Sequence, residues 1–183
     1  MATKVRTAVL VEPGESVPVE KCGTHFSRDN YVQGAIELTV DGVQVLGDEE
    51  SDTIDALWSL IVTDLESFMA GEDVVIRFPE RRYILALERA SGGRVVVRFV
   101  DGDRVRTAVG RTRSVLEALT SGAVDFFNAV LSTYPVEEWT YRRDLNAAVR
   151  LYEQSRGSGG PPPRETRRNR TSGGGYGSAG KAN

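Results

Sequence analysis

Four apolar, strand-like runs follow one another in the middle of the sequence, and the short breaks between them constrain the fold more than any other feature. The runs cover residues 74–78, 83–88, 94–100 and 104–109. A parallel crossover needs a dozen residues or more, and the breaks are far shorter than that. Neighbouring runs must therefore pair antiparallel, which predicts a four-stranded meander.

A hairpin is predicted ahead of the meander. Residues 36–40 and 43–45 both alternate apolar and polar side chains, and Asp41-Gly42 lies between them. This dipeptide favours a type I′ turn, because both central residues of that turn need positive φ. The apolar residues in 5–11 and 17–20 predict two further strands, and residues 22–31 have no period and are predicted to form a loop.

Three amphipathic helices are predicted from the 3.6-residue period. The first carries an apolar stripe from Ile54 to Phe68, with Ser51 or Asp52 as its N-cap and Gly71 at its end. The second covers residues 116–134, with a break near Gly122, and the third begins at Pro135. Trp58 and Trp139 fall on the stripes of the first and third helices and are predicted to be buried. The predicted fold is therefore α+β, with an antiparallel sheet (N-terminal hairpin plus four-stranded meander) packed by three amphipathic helices.

The charge of the chain divides it in two. Residues 156–183 hold six basic side chains and one acid, together with eight glycines and three prolines, but no Leu, Ile, Val, Phe or Trp. A segment of this composition cannot bury enough apolar surface to offset the entropy of ordering it. We therefore predict a single domain over residues 1–155, with a net charge of −8, followed by a disordered Gly/Pro/Arg-rich tail over 156–183.

Composition limits the class of protein. One cysteine cannot form an internal disulfide, and the apolar run at the amino terminus is too short for a signal peptide. No stretch reaches the ~18 consecutive apolar residues of a membrane helix. We expect a cytoplasmic protein without a membrane contact, and no motif indicates a cofactor. Arginine outnumbers lysine 20 to 3, which is typical of a GC-rich coding bias.

The densest charge cluster is acidic and precedes the first predicted helix. It consists of Asp48, Glu49, Glu50, Asp52 and Asp55. Acids are favoured at the positive end of a helix dipole, so a solvated capping face is one interpretation. A surface that meets a basic protein partner is the second. The spacing lacks the alternating ligands and central glycine of a calcium loop, so no metal site is predicted.

Arginines gather on the predicted strands and just after them. Arg104, Arg106, Arg111 and Arg113 could contact phosphates, which would make the chain a nucleic-acid-associated protein that also uses its basic tail. The alternative is that these arginines lie on solvated faces and pair with nearby acids. Since the predicted domain is net acidic, non-specific binding to polyanions is disfavoured.

Cys22 and His25 are the only Cys and His in the chain and stand three residues apart. They could act as a thiol nucleophile with its base, or as two of four zinc ligands. No second Cys or His can complete the metal site, and no oxyanion donor is evident. An enzyme that works through Cys22 or a carboxylate is thus a weaker alternative, and no catalytic residue is predicted.

In size, charge and order of elements the chain resembles bacterial immunity-type proteins and other small partner-binding proteins. The resemblance carries no individual residue with it. It implies a small acidic cytoplasmic protein–protein interaction module, either toxin-neutralising or regulatory, whose acidic cluster meets a basic partner with electrostatics setting the on-rate.

Overall fold

The computed structural model describes residues 2–12, 15–22, 31–133 and 139–157. Their elements, in chain order, are β1 (Lys4–Glu12), β2 (Glu15–Pro18), a 3₁₀ turn (Val19–Lys21), β3 (Gln33–Val40), β4 (Val43–Leu46), β5 (Ser51–Thr53), α1 (Ile54–Ala70), β6 (Val74–Arg77), β7 (Ile84–Ala90), β8 (Arg94–Asp101), β9 (Arg104–Arg111), α2 (Thr112–Thr133) and α3 (Trp139–Gly157).

The strands form two antiparallel sheets, which confirms the predicted α+β class. The first sheet has the order β2-β1-β3-β4, with β5 also paired to β3, and the second is the meander β6-β7-β8-β9. The predicted hairpin and the predicted meander thus belong to different sheets. The strand expected over residues 17–20 ends early, because the chain turns into the 3₁₀ turn after Pro18.

The local turn and helix signals are confirmed with one correction. Asp41 and Gly42 have φ of 48° and 91°, as a type I′ turn requires, and Gly71 ends α1 with φ of 113°. The predicted N-cap is wrong. Ser51–Thr53 form β5, which pairs with β3, so Thr53 is the residue before α1, and it makes no side-chain capping bond.

The predicted break at Gly122 is absent, and α2 runs through this residue. A Cβ at Gly122 would lie 2.7 Å from Cγ1 of Val5 and 3.0 Å from Cη2 of Trp58. The glycine therefore lets α2 approach β1 and α1 closely without interrupting the helix.

One buried core joins both sheets and the three helices. Trp58 is fully buried within it, as predicted, with its ring 6.5 Å from that of Phe126. The prediction for Trp139 is wrong, because 73% of this residue is exposed. The buried face of α3 is formed by Asp144, Ala148, Leu151 and Ser155. At about 100° per residue, Trp139 points some 140° away from Asp144.

The ends of the described ranges bear on two other predictions. Helix α3 continues to Gly157, two residues beyond the predicted domain boundary. The remainder of the predicted tail, 158–183, and most of the predicted loop, 23–30, lie outside the described residues.

Helix α2 has the length and hydropathy of a membrane-crossing helix, and half of its most apolar window is buried inside the protein. A core helix of a folded domain has the same length and composition.

Candidate interaction surfaces

The two charged clusters singled out from the sequence meet in the fold. The loop after β4 carries Glu49 and Glu50, β9 carries Arg104 and Arg106, and together they line a cleft of about 200 Å³. Nη2 of Arg104 lies 3.0 Å from Oε2 of Glu49, and its Nη1 lies 3.6 Å from Oε1 of Glu50. The acids and arginines predicted to serve two different partners therefore neutralise each other, which favours the interpretation that these arginines pair with nearby acids.

Glu50 and Arg106 form the buried centre of this cluster. The side chain of Glu50 is 2% exposed and that of Arg106 is 21% exposed. The guanidinium donates to both oxygens of Glu50, and the carboxylate also accepts the backbone N–H of Gly47 at 2.7 Å. Arg106 further donates to the carbonyl of Val45 and lies 5.0 Å from the centre of the Phe99 ring. This pair connects the first sheet to the meander, because Glu50 follows β4 and Arg106 lies on β9.

Asp52 is buried and binds the loop between β6 and β7. Its oxygens accept the backbone N–H groups of Glu80 at 3.1 Å and Arg81 at 3.0 Å, besides that of its own neighbour Thr53. A carboxylate that accepts several backbone N–H groups holds them in place. Asp52 therefore acts in the fold and presents no surface to a partner.

Asp55 is buried between α1 and α3. It accepts the hydroxyl of Tyr141 at 2.7 Å, and one turn further on Ser59 donates to Asp144 at 2.5 Å. These two hydrogen bonds join the helices through polar atoms. Asp55 therefore also has an internal partner.

Of the predicted acidic cluster, Asp48 and Glu49 are the exposed members. Among the predicted phosphate-binding arginines, Arg113 pairs with Glu117 at 2.8 Å, and Arg111 is exposed without an ion-pair partner among the described residues. The hydrogen bond to Glu49 raises the pKa of Arg104 above its ordinary value.

The thiol of Cys22 is buried, and this burial raises its pKa above the ordinary value. A raised pKa keeps the sulfur protonated at neutral pH, whereas a nucleophile needs the thiolate. His25 lies outside the described residues. The described part of the chain contains no group of three or more His, Cys, Asp or Glu side chains that could hold a metal ion.

A larger groove, of about 840 Å³, lies between α2 and the first sheet. It follows β1 along residues 5–8, with β2 and the 3₁₀ turn at one end. Its other wall is the polar face of α2, where Asp125, Asn128 and Ser132 recur at helical spacing. Apolar atoms of Val5, Pro18, Val19, Ala8 and Ala129 also line it.

Carboxylates dominate the charge of this groove. Glu20, Glu37, Asp48 and Asp125 line it, against the single guanidinium of Arg6. Partial burial, followed by the negative charge of Glu20, raises the pKa of Asp125. Since desolvation and a like charge both oppose ionisation, a cation entering the groove would relieve an existing electrostatic penalty.

We expect Asp125→Asn to stabilise the fold at neutral pH. Asp125 has a raised folded pKa, so its protonated form favours folding, and that contribution is lost as pH rises through the folded pKa. Asn cannot ionise and escapes this loss. Solvent screens the exposed side chain, so the gain stays below about 1 kcal/mol. Urea denaturation should give matching stabilities at pH values below the carboxyl range and a more stable variant at neutral pH.

The groove acids Glu20, Glu37 and Asp125 were not found from the sequence. They come from the 3₁₀ turn, β3 and α2, and their meeting depends on the packing of α2 against β1. One weak signal existed. Asp125, Asn128 and Ser132 form a polar line on a helix whose other faces are largely apolar.

Comparisons with known proteins add no identity to this geometry. The chain matches no protein-family model, no curated protein and no solved structure.

Proposed function

We propose that this chain is a protein–protein interaction module whose groove between α2 and β1 binds an extended basic segment of a partner. The observation that carries the proposal is the grouping of four carboxylates against one guanidinium in a single concave surface. The toxin-neutralising and the regulatory version of this function make the same binding prediction.

The negative charge of the groove favours a positively charged partner. Desolvation and Glu20 already disfavour the ionised form of Asp125, and a guanidinium or ammonium placed beside it would offset both effects. Electrostatic attraction of this kind raises the association rate and rejects acidic competitors. We therefore retain the basic partner predicted from the sequence. We assign its contact surface to the groove rather than to the start of α1, and Asp48 belongs to both surfaces.

The backbone of β1 supports an extended conformation for the bound segment. Strand β2 pairs with β1 over Ala8–Glu12, whereas β3 pairs with it from Lys4 onwards. The edge of β1 at residues 4–7 that faces away from β3 thus has no strand partner in the described part of the chain. A peptide that adds a strand here gains main-chain hydrogen bonds, and the carboxylates select its side chains.

The test uses two synthetic ten-residue peptides, one alternating Arg with Val and one alternating Glu with Val. We expect the Arg peptide alone to bind, with affinity that falls as salt is raised. Asp48→Asn combined with Asp125→Asn should weaken binding of the Arg peptide about tenfold, since two charge pairs of some 0.7 kcal/mol each are lost. Fluorescence anisotropy measures both effects.

The matched control is Asp64→Asn combined with Glu72→Gln, which removes the same net charge outside the groove. Asp64 is a suitable match because burial raises its pKa too. This control should leave the affinity for the Arg peptide unchanged. If both double variants weakened binding equally, the effect would come from net charge rather than from the groove, and the proposal would be wrong. The proposal would also be wrong if the Arg peptide did not bind.

A further inference from the structure

The meander has a second apolar face, turned away from the helices. We call it the valine face and define it by the side chains that alternate outward along the four strands: Val75, Ile84, Ala86, Val96, Val100, Val105 and Val109. The strand register places them in rows, with Ile84 opposite Val100 and Val100 opposite Val105. The inward side chains of the same strands, such as Leu85, Val97 and Phe99, are fully buried against the rest of the fold.

The valine face is most open to solvent on its outer strands β6 and β9, whereas Ala86 on β7 is 7% exposed. Val75 is 55% exposed, Val105 54% and Val109 41%, although each stands in a regular strand. No helix or strand in the described ranges packs over this side of the sheet. An antiparallel sheet commonly has one solvated face, but that face is then polar. Exposed apolar side chains grouped on one face of a protein make that face a candidate site for another molecule.

Arginines alternate with these apolar side chains, and Arg98 lies among them on a central strand, opposite Ala86 and Thr107. Arg77, Arg94, Arg98 and Arg111 alternate outward with the valines, whereas Glu88 is the one carboxylate of the same face. Glu88 pairs with Arg98 at 3.2 Å. The other three arginines have no ion-pair partner among the residues that the structure describes. The face therefore combines apolar surface with a net positive charge, opposite in sign to the groove.

We propose that the valine face docks an acidic amphipathic α-helix of a partner protein. Four strands place the outer two about 14 Å apart, and eight residues span about 26 Å along a strand. One helix, 10–12 Å across, fits that width, and about 17 residues at 1.5 Å each match that length. Carboxylates beside the apolar stripe of such a helix would meet the three unpaired guanidiniums, as Arg–carboxylate pairing favours.

Charge and side-chain type separate this occupant from its competitors. A second copy of the chain would oppose the four arginines to four identical arginines, so like charges disfavour a symmetric pair. A single strand of nucleic acid needs aromatic side chains to stack its bases. The aromatic rings of this region, Phe78, Tyr83 and Phe99, pack against one another on the inner side of the sheet.

The experiment uses the full chain and two designed helical peptides of equal length. Both carry the same leucine stripe, flanked by Glu in one peptide and by Lys in the other. We expect the Glu-flanked helix to bind at least about tenfold more tightly, and to shift the backbone amide resonances of β6–β9 but not those of α2. Val75→Thr combined with Val105→Thr should weaken binding about fivefold or more. Threonine has nearly the same shape as valine, but its hydroxyl replaces a methyl group and removes that apolar contact.

The control is Val43→Thr, since Val43 is 47% exposed but lies on β4, outside the valine face. It should leave the affinity unchanged, and so should the groove variant Asp125→Asn. Equal affinity for both peptides, or no binding at millimolar peptide, would overturn the proposal. It would be overturned equally by a dimer that the Val75/Val105 variant abolishes, or by an oligonucleotide that displaces the Glu-flanked helix.

Discussion

Glu50→Gln should destabilise the fold by about 3 kcal/mol, since it leaves Arg106 with a largely desolvated positive charge and no carboxylate. Glu50 holds this guanidinium at both oxygens and also accepts the N–H of Gly47. A glutamine of the same shape would turn an N–H group towards a cation that itself only donates hydrogen bonds. Urea denaturation at neutral pH measures the loss of free energy of unfolding.

Glu49→Gln provides the matched control, because the same chemical change is made one residue earlier in the same arginine cluster. The side chain of Glu49 is 72% exposed and that of its partner Arg104 is 50% exposed. An exposed pair of this kind contributes at most about 1 kcal/mol. If the two variants lost equal stability, the junction between the sheets would not depend on the buried pair.

This junction also marks the limit of what could be predicted from the sequence. Glu50 and Arg106 are 56 residues apart in the chain. Each belonged to a visible cluster of one sign, and for each cluster both an external partner of the opposite sign and a place within the protein's own surface remained open. Charge density along a sequence cannot distinguish a binding surface from one half of an internal pair, because the other half is placed by tertiary packing.

Features with short-range causes were predicted well. The Asp41-Gly42 turn, the stripe of α1 and its end at Gly71 each depend on residues within a few positions of one another. Trp139 was misplaced because the buried face of α3 includes Asp144, which donors on Ser59 and Arg143 satisfy. A buried carboxylate shifts the apparent helical stripe, and its partner Ser59 lies 85 residues away in the sequence.

The valine face had a signal in the sequence that a period-of-two analysis passes over. Residues 95–97 are three consecutive valines, so both faces of β8 are apolar there. When helices cover one side of an antiparallel sheet, apolar residues that alternate onto the opposite side indicate either a second covering layer or an open docking surface. The strand pattern alone does not distinguish these two possibilities. The placement of the helices does, because none of the described helices packs over this side of the meander.

Gly34→Ala should cost about 3 kcal/mol or more, because overpacking against backbone cannot be relieved by a rotamer change. A Cβ at Gly34 would lie 2.1 Å from the carbonyl oxygen of Ala8 and 2.9 Å from Cδ1 of Ile54. Gly34 pairs with β1 on one side and with β5 on the other. Moving β3 away from β1 would therefore disturb β5, from which α1 begins.

The same displacement should reach the groove, since Ala8 lines it. Gly34→Ala is thus expected to weaken binding of the Arg peptide as well as lowering the urea midpoint. Gly47→Ala is the control, because its Cβ would meet the side-chain end of Gln44 at 3.0 Å, which can move aside, and Glu50 at 3.4 Å, which is an ordinary van der Waals contact. It should cost under about 1 kcal/mol. A Gly34→Ala protein as stable as its parent would mean that β1 and β3 tolerate a wider separation, and the edge of β1 would then be a poor template for a bound strand.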